Sequence, residues 1–422
     1  MLRVAASVRA AARDFGRLPE LPDAQRLLKA GELHGALNQL QRAAEVVGSV
    51  PMPALQAVAA GVLASGLRAT GQVSREAAVW EAALGHCGID SPDARLHVLH
   101  GLATCSLHSG DGEAARQWCD EASGLTAVDA QWAPAFASHR SLGRFIATPS
   151  AELAVAQLRE DVLALEVEGG ETSDAVAAAA HLAASEGVRL ILGDALARTG
   201  SHEAARECWT ALAALADDAD LDASADQRSK SATLASEEGP PPTASEHASA
   251  MREVVARCRI GASMRDGGDV PGARAHLTAA LDACEARLPL SHPLMGHALG
   301  HLAAALAADG EFVTAEGLYR TAIDSLPPVA TAGLGASAQV VPLAQAQLAL
   351  STLSDFATLL DRLETNGRPR AAEAEQLRAR ASALRAEYPE LLQEGRRWQG
   401  LEPWYAAASE VDWMGACLAP AE

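Results

Sequence analysis

Seven glycines set the register of this chain: Gly31, Gly71, Gly110, Gly200, Gly268, Gly310 and Gly367. Five positions after most of them stands Ala, nine after a larger residue, and twelve after a small or apolar one. Gly31 is followed by Ala36, Leu40 and Ala43, and Gly110 by Ala115, Cys119 and Ala122. Gly200 is followed by Ala205, Trp209 and Leu212, Gly268 by Ala273, Leu277 and Ala280, and Gly310 by Ala315, Tyr319 and Ala322. Gly71 keeps Trp80 and Ala83 but has Glu76 at the small position; Gly367 keeps Ala372 and Ala379 but has Gln376 at the large one. Such spacing has a mechanical cause. Glycine closes one helix in a left-handed turn. The returning helix then needs a small residue where it crosses the first and a large one a turn later to fill the gap.

The residues ahead of the glycines agree. Leu302, Ala303 and Leu306 precede Gly310; Ile260, Gly261 and Met264 precede Gly268; Leu192, Gly193 and Leu196 precede Gly200; Leu102, Ala103 and Ser106 precede Gly110. This is apolar periodicity of the helical kind, with a small residue where two backbones approach. The unit is helix, turn, helix, about 34 residues long, and in that period it resembles the tetratricopeptide repeat. Between Gly110 and Gly200 a degenerate copy is expected, with Phe145, Ala154 and Leu158 in pattern and Pro149 in place of the glycine. The fold class predicted is all-α, a right-handed solenoid of seven or eight helical hairpins.

A repeat array behaves as a row of units that contact their neighbours, which suits a chain with 4% aromatic residues. Five segments follow from composition. Residues 1–17 hold Arg3, Arg9, Arg13 and Arg17 against the single acid Asp14 and read as a mitochondrial targeting segment or a first solenoid helix. Residues 18–216 form an N-terminal array. Residues 217–246, rich in Asp, Ser and Pro, read as an acidic flexible linker or a docking segment for a basic partner. Residues 247–386 form a C-terminal array. Residues 387–422 gather Trp398, Trp404, Tyr405 and Trp413, which would either cap the last repeat or anchor in a partner's pocket.

The net charge of -20 disfavours nucleic acid and anionic lipid and favours proteins with basic surfaces. No apolar run reaches the roughly 18 residues of a membrane span. Seven cysteines, none in a Cys-x-x-Cys pair, read as reduced, buried thiols. No phosphate-binding glycine loop and no nucleophile elbow is present. Histidine is the one tempting residue type: His297 and His301 stand four apart on a helix, with His292 close by. An i, i+4 pair can hold a metal. The repeat register offers another role, in which His97, His100, His297 and His301 line the polar inner face of the first helices as partner-binding residues.

Residues 254–327 are most specific. His292 and Pro293 before the helix, then Leu299, Leu302, Ala303, Gly310, Ala315, Glu316, Tyr319 and Ala322, resemble the 42-residue tetratricopeptide subclass of kinesin light chains and of a mitochondrial assembly factor of respiratory complex III; Gly268 and Gly310 are 42 apart. That resemblance implies a protein-binding scaffold with no catalytic residue and no cofactor. It would be an accessory subunit or assembly factor in a hetero-oligomeric mitochondrial complex, of the respiratory or ATP synthase type. The alternatives are a cytosolic cargo or signalling adaptor and, more remotely, a metal-dependent enzyme using the His292–His301 segment. A cochaperone carboxylate clamp of Lys, Arg and Asn cannot be assembled in its usual form, because Lys29 and Lys230 are the chain's lysines and Asn38 and Asn366 its asparagines.

Overall fold

A computed structural model describes residues 11, 14–29, 33–69, 72–88, 90–126, 132–148, 151–171, 175–214, 244–288, 293–325, 343–365 and 370–387. Among these there is no strand. In order they form α1 (Glu20–Lys29), α2 (Leu33–Gly48), α3 (Pro53–Ala69), α4 (Val73–His86), α5 (Pro92–Ser109), α6 (Gly112–Thr126), α7 (Ala133–Ala147), α8 (Ala151–Glu171) and α9 (Ala175–Arg198). There follow α10 (202–214), α11 (Ala244–Asp266), α12 (Val270–Arg287), α13 (Pro293–Ala308), α14 (Phe312–Ser325), α15 (Leu343–Thr365) and α16 (Ala371–Glu387). The array is a tetratricopeptide-type solenoid of helical hairpins.

Four of the register glycines fall among the described residues, and all four adopt positive φ: 78° at Gly110, 81° at Gly200, 85° at Gly268 and 88° at Gly310. Each turn closes with the same two hydrogen bonds. The glycine N–H reaches the carbonyl three residues back, as from Gly268 to Arg265 at 3.0 Å, and the next N–H reaches five back, as from Asp269 to Met264 at 2.9 Å. This is the Schellman closure, which satisfies carbonyls the helix end leaves over. The residue after the glycine already caps the returning helix. Asp269 Oδ1 accepts from the Gly272 N–H at 3.0 Å, and Asp111 Oδ1 from the Ala114 N–H at 2.9 Å. A turn of two or three residues leaves the hairpin little slack, so side-chain size decides how its helices meet.

The seams bear that out. Ala36, Ala115, Ala205, Ala273 and Ala315 are fully buried, as are Leu40, Cys119, Leu277 and Tyr319 at the large position. Within the α11–α12 hairpin a Cβ on Gly261 would come within 2.6 Å of Leu277 Cγ. Glycine at 261 is therefore a steric requirement of the crossing. The degenerate copy is also in place: Phe145, Ala154 and Leu158 are buried where α7 meets α8.

The last copy differs from expectation. Ala372, Gln376 and Ala379 are exposed, whereas Ala374, Leu377, Ala381 and Leu384 are buried. The backbone N–H of Ala374 bonds to the Arg370 carbonyl at 3.0 Å, so Arg370 takes the place that follows the glycine elsewhere. The apolar stripe of α16, recurring at three- and four-residue steps, fixes its rotation and overrides the spacing from Gly367.

The chain divides into two compact units. One comprises the chain through Ile191 with two short later stretches; the other comprises Leu192–Pro327 and Leu348–Ser382. Their boundary falls inside α9. Of the expected linker, residues 217–243 lie outside the described residues, and α11 starts at Ala244. In the first unit Ala11 and Phe15 are buried together with Leu21, Leu40, Val58, Val62 and Leu67. The Arg-rich first segment thus contributes a fully buried aromatic ring to the core of the opening hairpins. Among the described residues no helix is long and apolar enough to cross a membrane.

Candidate functional site

His97 and His297 each stand thirteen residues ahead of a turn glycine, at the same place on α5 and α13. Both are buried, at 8% and 7% exposure. His97 is enclosed by indoles: its ring centroid lies 5.6 Å from that of Trp80 on α4 and 6.2 Å from that of Trp132 at the head of α7. His100, one turn on, meets Trp132 at 5.6 Å, Phe136 at 5.9 Å and His139 at 4.6 Å. Most of these contacts are edge-on or tilted, the arrangement ring quadrupoles favour. They bind α5 to α4 on one side and to α7 on the other.

His139 is held at both nitrogens. Nδ1 lies 2.7 Å from the Ala135 carbonyl and donates to it, so in the neutral ring Nε2 accepts, with Thr104 Oγ1 at 2.9 Å. The Thr104 hydroxyl also lies 2.8 Å from the His100 carbonyl, so two acceptors share one proton. Burial pushes His139 down to about 4 and His97 down to about 4. Burial first, then His139, His97 and Arg68, holds His100 well below the ordinary histidine range. These imidazoles are neutral packing groups at neutral pH.

The second cluster is smaller. His297 and His301 on α13 approach with Nε2 atoms 3.2 Å apart and rings nearly perpendicular at 87°. A hydrogen bond of that length requires one Nε2 to carry a proton and the other to accept it. Burial, then Arg259, pushes His301 down to about 3. His297 is lowered by burial, by His301 and by Arg259. Among the described residues no three His, Cys, Asp or Glu side chains group as metal ligands. His292, Trp398, Trp404, Tyr405 and Trp413 lie outside the described residues.

The cysteines are packing groups as well. Cys87, Cys105, Cys119, Cys258 and Cys284 are buried, and burial raises the thiols of Cys105, Cys119 and Cys284 to about 12. A protonated thiol is a poor nucleophile and a poor ligand.

Two features escape a reading by repeat register. Glu76, the odd residue at a small position, is fully buried and pairs with buried Arg68 on the facing helix α3, Nε to Oε1 at 2.9 Å. The pair crosses the turn, so only a search eight residues back finds its second half. The other feature is α8. Its register residues Ala154 and Leu158 are buried, yet Leu153, Leu163 and Val167 are 53%, 62% and 59% exposed. Their ten- and four-residue spacing is a helical stripe visible in the sequence, but the repeat pattern draws attention to the opposite face.

No family model matches the chain, and no curated protein does. Among solved structures it is similar to the apo form of the quorum sensor NprR from B. thuringiensis, at 9% identity and a TM-score of 0.41, covering 86% of this chain and 97% of that one. NprR in complex with its cognate peptide NprX matches at 10% identity and a TM-score of 0.38, over 73% and 77% of the two chains. The TPR domain of P58(IPK) matches at 15% identity and a TM-score of 0.22, over 93% and 97%. Likenesses of this grade say nothing of activity; the assignment to tetratricopeptide-type hairpins stands on the turns and seams described above.

Proposed function

We propose that this chain is a non-catalytic protein-binding scaffold, acting as an accessory subunit or assembly factor of a larger mitochondrial complex, respiratory or of the ATP synthase type. One observation carries the scaffold reading. Among the described residues the imidazoles of His97, His100, His139, His297 and His301 and the buried thiols are neutral and spent in helix packing. What faces solvent is acidic, with large apolar side chains left uncovered on α8. A net charge of -20 favours basic protein partners and speeds their encounter. The partly exposed edges of His100 and His301, with the aromatic tail, supply further contacts.

The organelle is supported by the Arg-rich opening segment. Because Phe15 is buried in the first hairpins, this reading takes the segment as retained after import. The test is affinity capture of the tagged full chain from mitochondria at low salt, with mass spectrometry. A stable stoichiometric partner is expected; recovery of the chain alone would overturn the scaffold reading. A fluorescent fusion found only in the cytosol would overturn the location. Stoichiometric zinc lost on His297→Ala would overturn the non-catalytic reading.

A further inference from the structure

The exposed stripe of α8 has the geometry of a docking face. At about 100° per residue, Leu153, Ala156, Glu160, Leu163, Ala164 and Val167 fall on one side of the helix. All six are exposed. Directly opposite lie Ala154, Val155, Leu158, Val162 and Leu165, all buried. The neighbours hold α8 by its flanks. Arg144 of α7 pairs with Asp161 at 3.2 Å, while Arg189 and Ser185 of α9 reach Glu166. The stripe between these flanks is left open, and it holds three of the six large apolar side chains that are exposed among the described residues.

Charge decides the occupant. Along α8 the sequence places Glu152, Glu160, Asp161, Glu166, Glu168 and Glu171 beside the single cation Arg159. Arg144 and Arg189 from the flanking helices answer Asp161 and Glu166, which leaves four acids against Arg159. A second copy would bring the same acids face to face. An anionic lipid surface would be repelled. We infer that this face of α8 takes a basic amphipathic helix of a partner protein, with apolar residues over Leu153, Leu163 and Val167 and a Lys or Arg at its centre against Glu160. This rests on the scaffold reading and gives it a surface. Apolar anchors supply the contact area, and the carboxylates fix register and discriminate among partners.

The probe is a fluorescein-labelled helical peptide of about 18 residues with a leucine stripe and lysine flanks. A scrambled isomer and a glutamate-flanked version serve as comparisons, and fluorescence anisotropy with the full-length chain reads binding. The lysine-flanked peptide is expected to bind and the other two to bind at least about tenfold more weakly, a difference of about 1.4 kcal/mol. Leu163→Gln with Val167→Gln should weaken binding by a similar factor while circular dichroism stays unchanged. Glu160→Lys should shift preference toward the glutamate-flanked peptide, and Val313→Gln, at an exposed site on α14, should change nothing. Equal binding by the scrambled peptide or by the double variant would overturn the proposal. So would a dimer that the double variant dissolves, which would make a second copy the occupant. If the double variant still captures the partner that wild type captures, this surface is wrong and the scaffold reading stands; if wild type captures none, the scaffold reading itself has failed.

Discussion

Gly261 and Leu277 share a crossing with no spare volume: a Cβ on the glycine would come within 2.6 Å of the leucine Cγ. Leu277 is fully buried and cannot swing aside. Gly261→Ala should therefore destabilise the second unit by about 1–3 kcal/mol, the usual cost of overpacking a filled core. Gly193→Ala, against the Trp209 ring, should cost at least as much. Gly124 on α6 has nothing within 4 Å, so Gly124→Ala should stabilise by about 0.5–1 kcal/mol through helix propensity. Urea denaturation of the three variants gives the signs directly.

The Arg68–Glu76 pair predicts non-additive mutations. Arg68→Met leaves a carboxylate buried without its cation and should cost about 3–5 kcal/mol. Glu76→Ala restores the residue most other copies carry but takes the carboxylate from a buried guanidinium, with a similar cost. The double variant should lie within about 1 kcal/mol of wild type, because neither charge remains to be desolvated. A double-mutant cycle from chemical denaturation measures the coupling; additive losses would refute it.

Acid should loosen the histidine seams before carboxylates titrate in bulk. In the unfolded chain these imidazoles take a proton near pH 6.5. Folded, His97 and His139 wait until about 4. Between those values the unfolded state binds more protons, so stability is full above about pH 6.5 and falls as pH drops toward about 4. Urea midpoints measured from pH 7 to pH 4 should decline. His139→Gln, which has no such proton to take, should flatten the decline in the first unit.

Phe15 gives a test of the opening segment. Phe15→Ala should destabilise the first unit by about 3–5 kcal/mol, and removal of residues 1–17 should do so at least as strongly. Thermal denaturation of both variants checks this; an unchanged melting temperature would show that the first hairpins do not need the segment.

Much of this architecture was legible because a helical hairpin is a local object. A glycine closing one helix and a small residue five positions later describe one turn and one crossing, and both are fixed by residues close in sequence. Where partners come from farther away, the pattern falls silent. The polar spacing of His97 and His100 marks a face of α5, but Trp80 and Trp132, which cover it, belong to other helices. Glu76 reads as a defect until Arg68 is placed across the turn. Phe15 sits among arginines, which draw attention to targeting and away from its burial. Gly367 failed as a marker because α16 takes its rotation from Ala374, Leu377 and Ala381, which lie one or two positions out of step with the other copies.

One consequence of the buried pair on α3 and α4 reaches beyond stability. The turns at Gly110, Gly200, Gly268 and Gly310 close alike, so in principle these hairpins could be duplicated, deleted or exchanged as modules. The hairpin holding Arg68 and Glu76 is bound by a private complementarity: crossing either of its helices with a counterpart from elsewhere in the chain would trap a lone charge in the interior. Recombination during evolution, or in the laboratory, must carry that hairpin over whole.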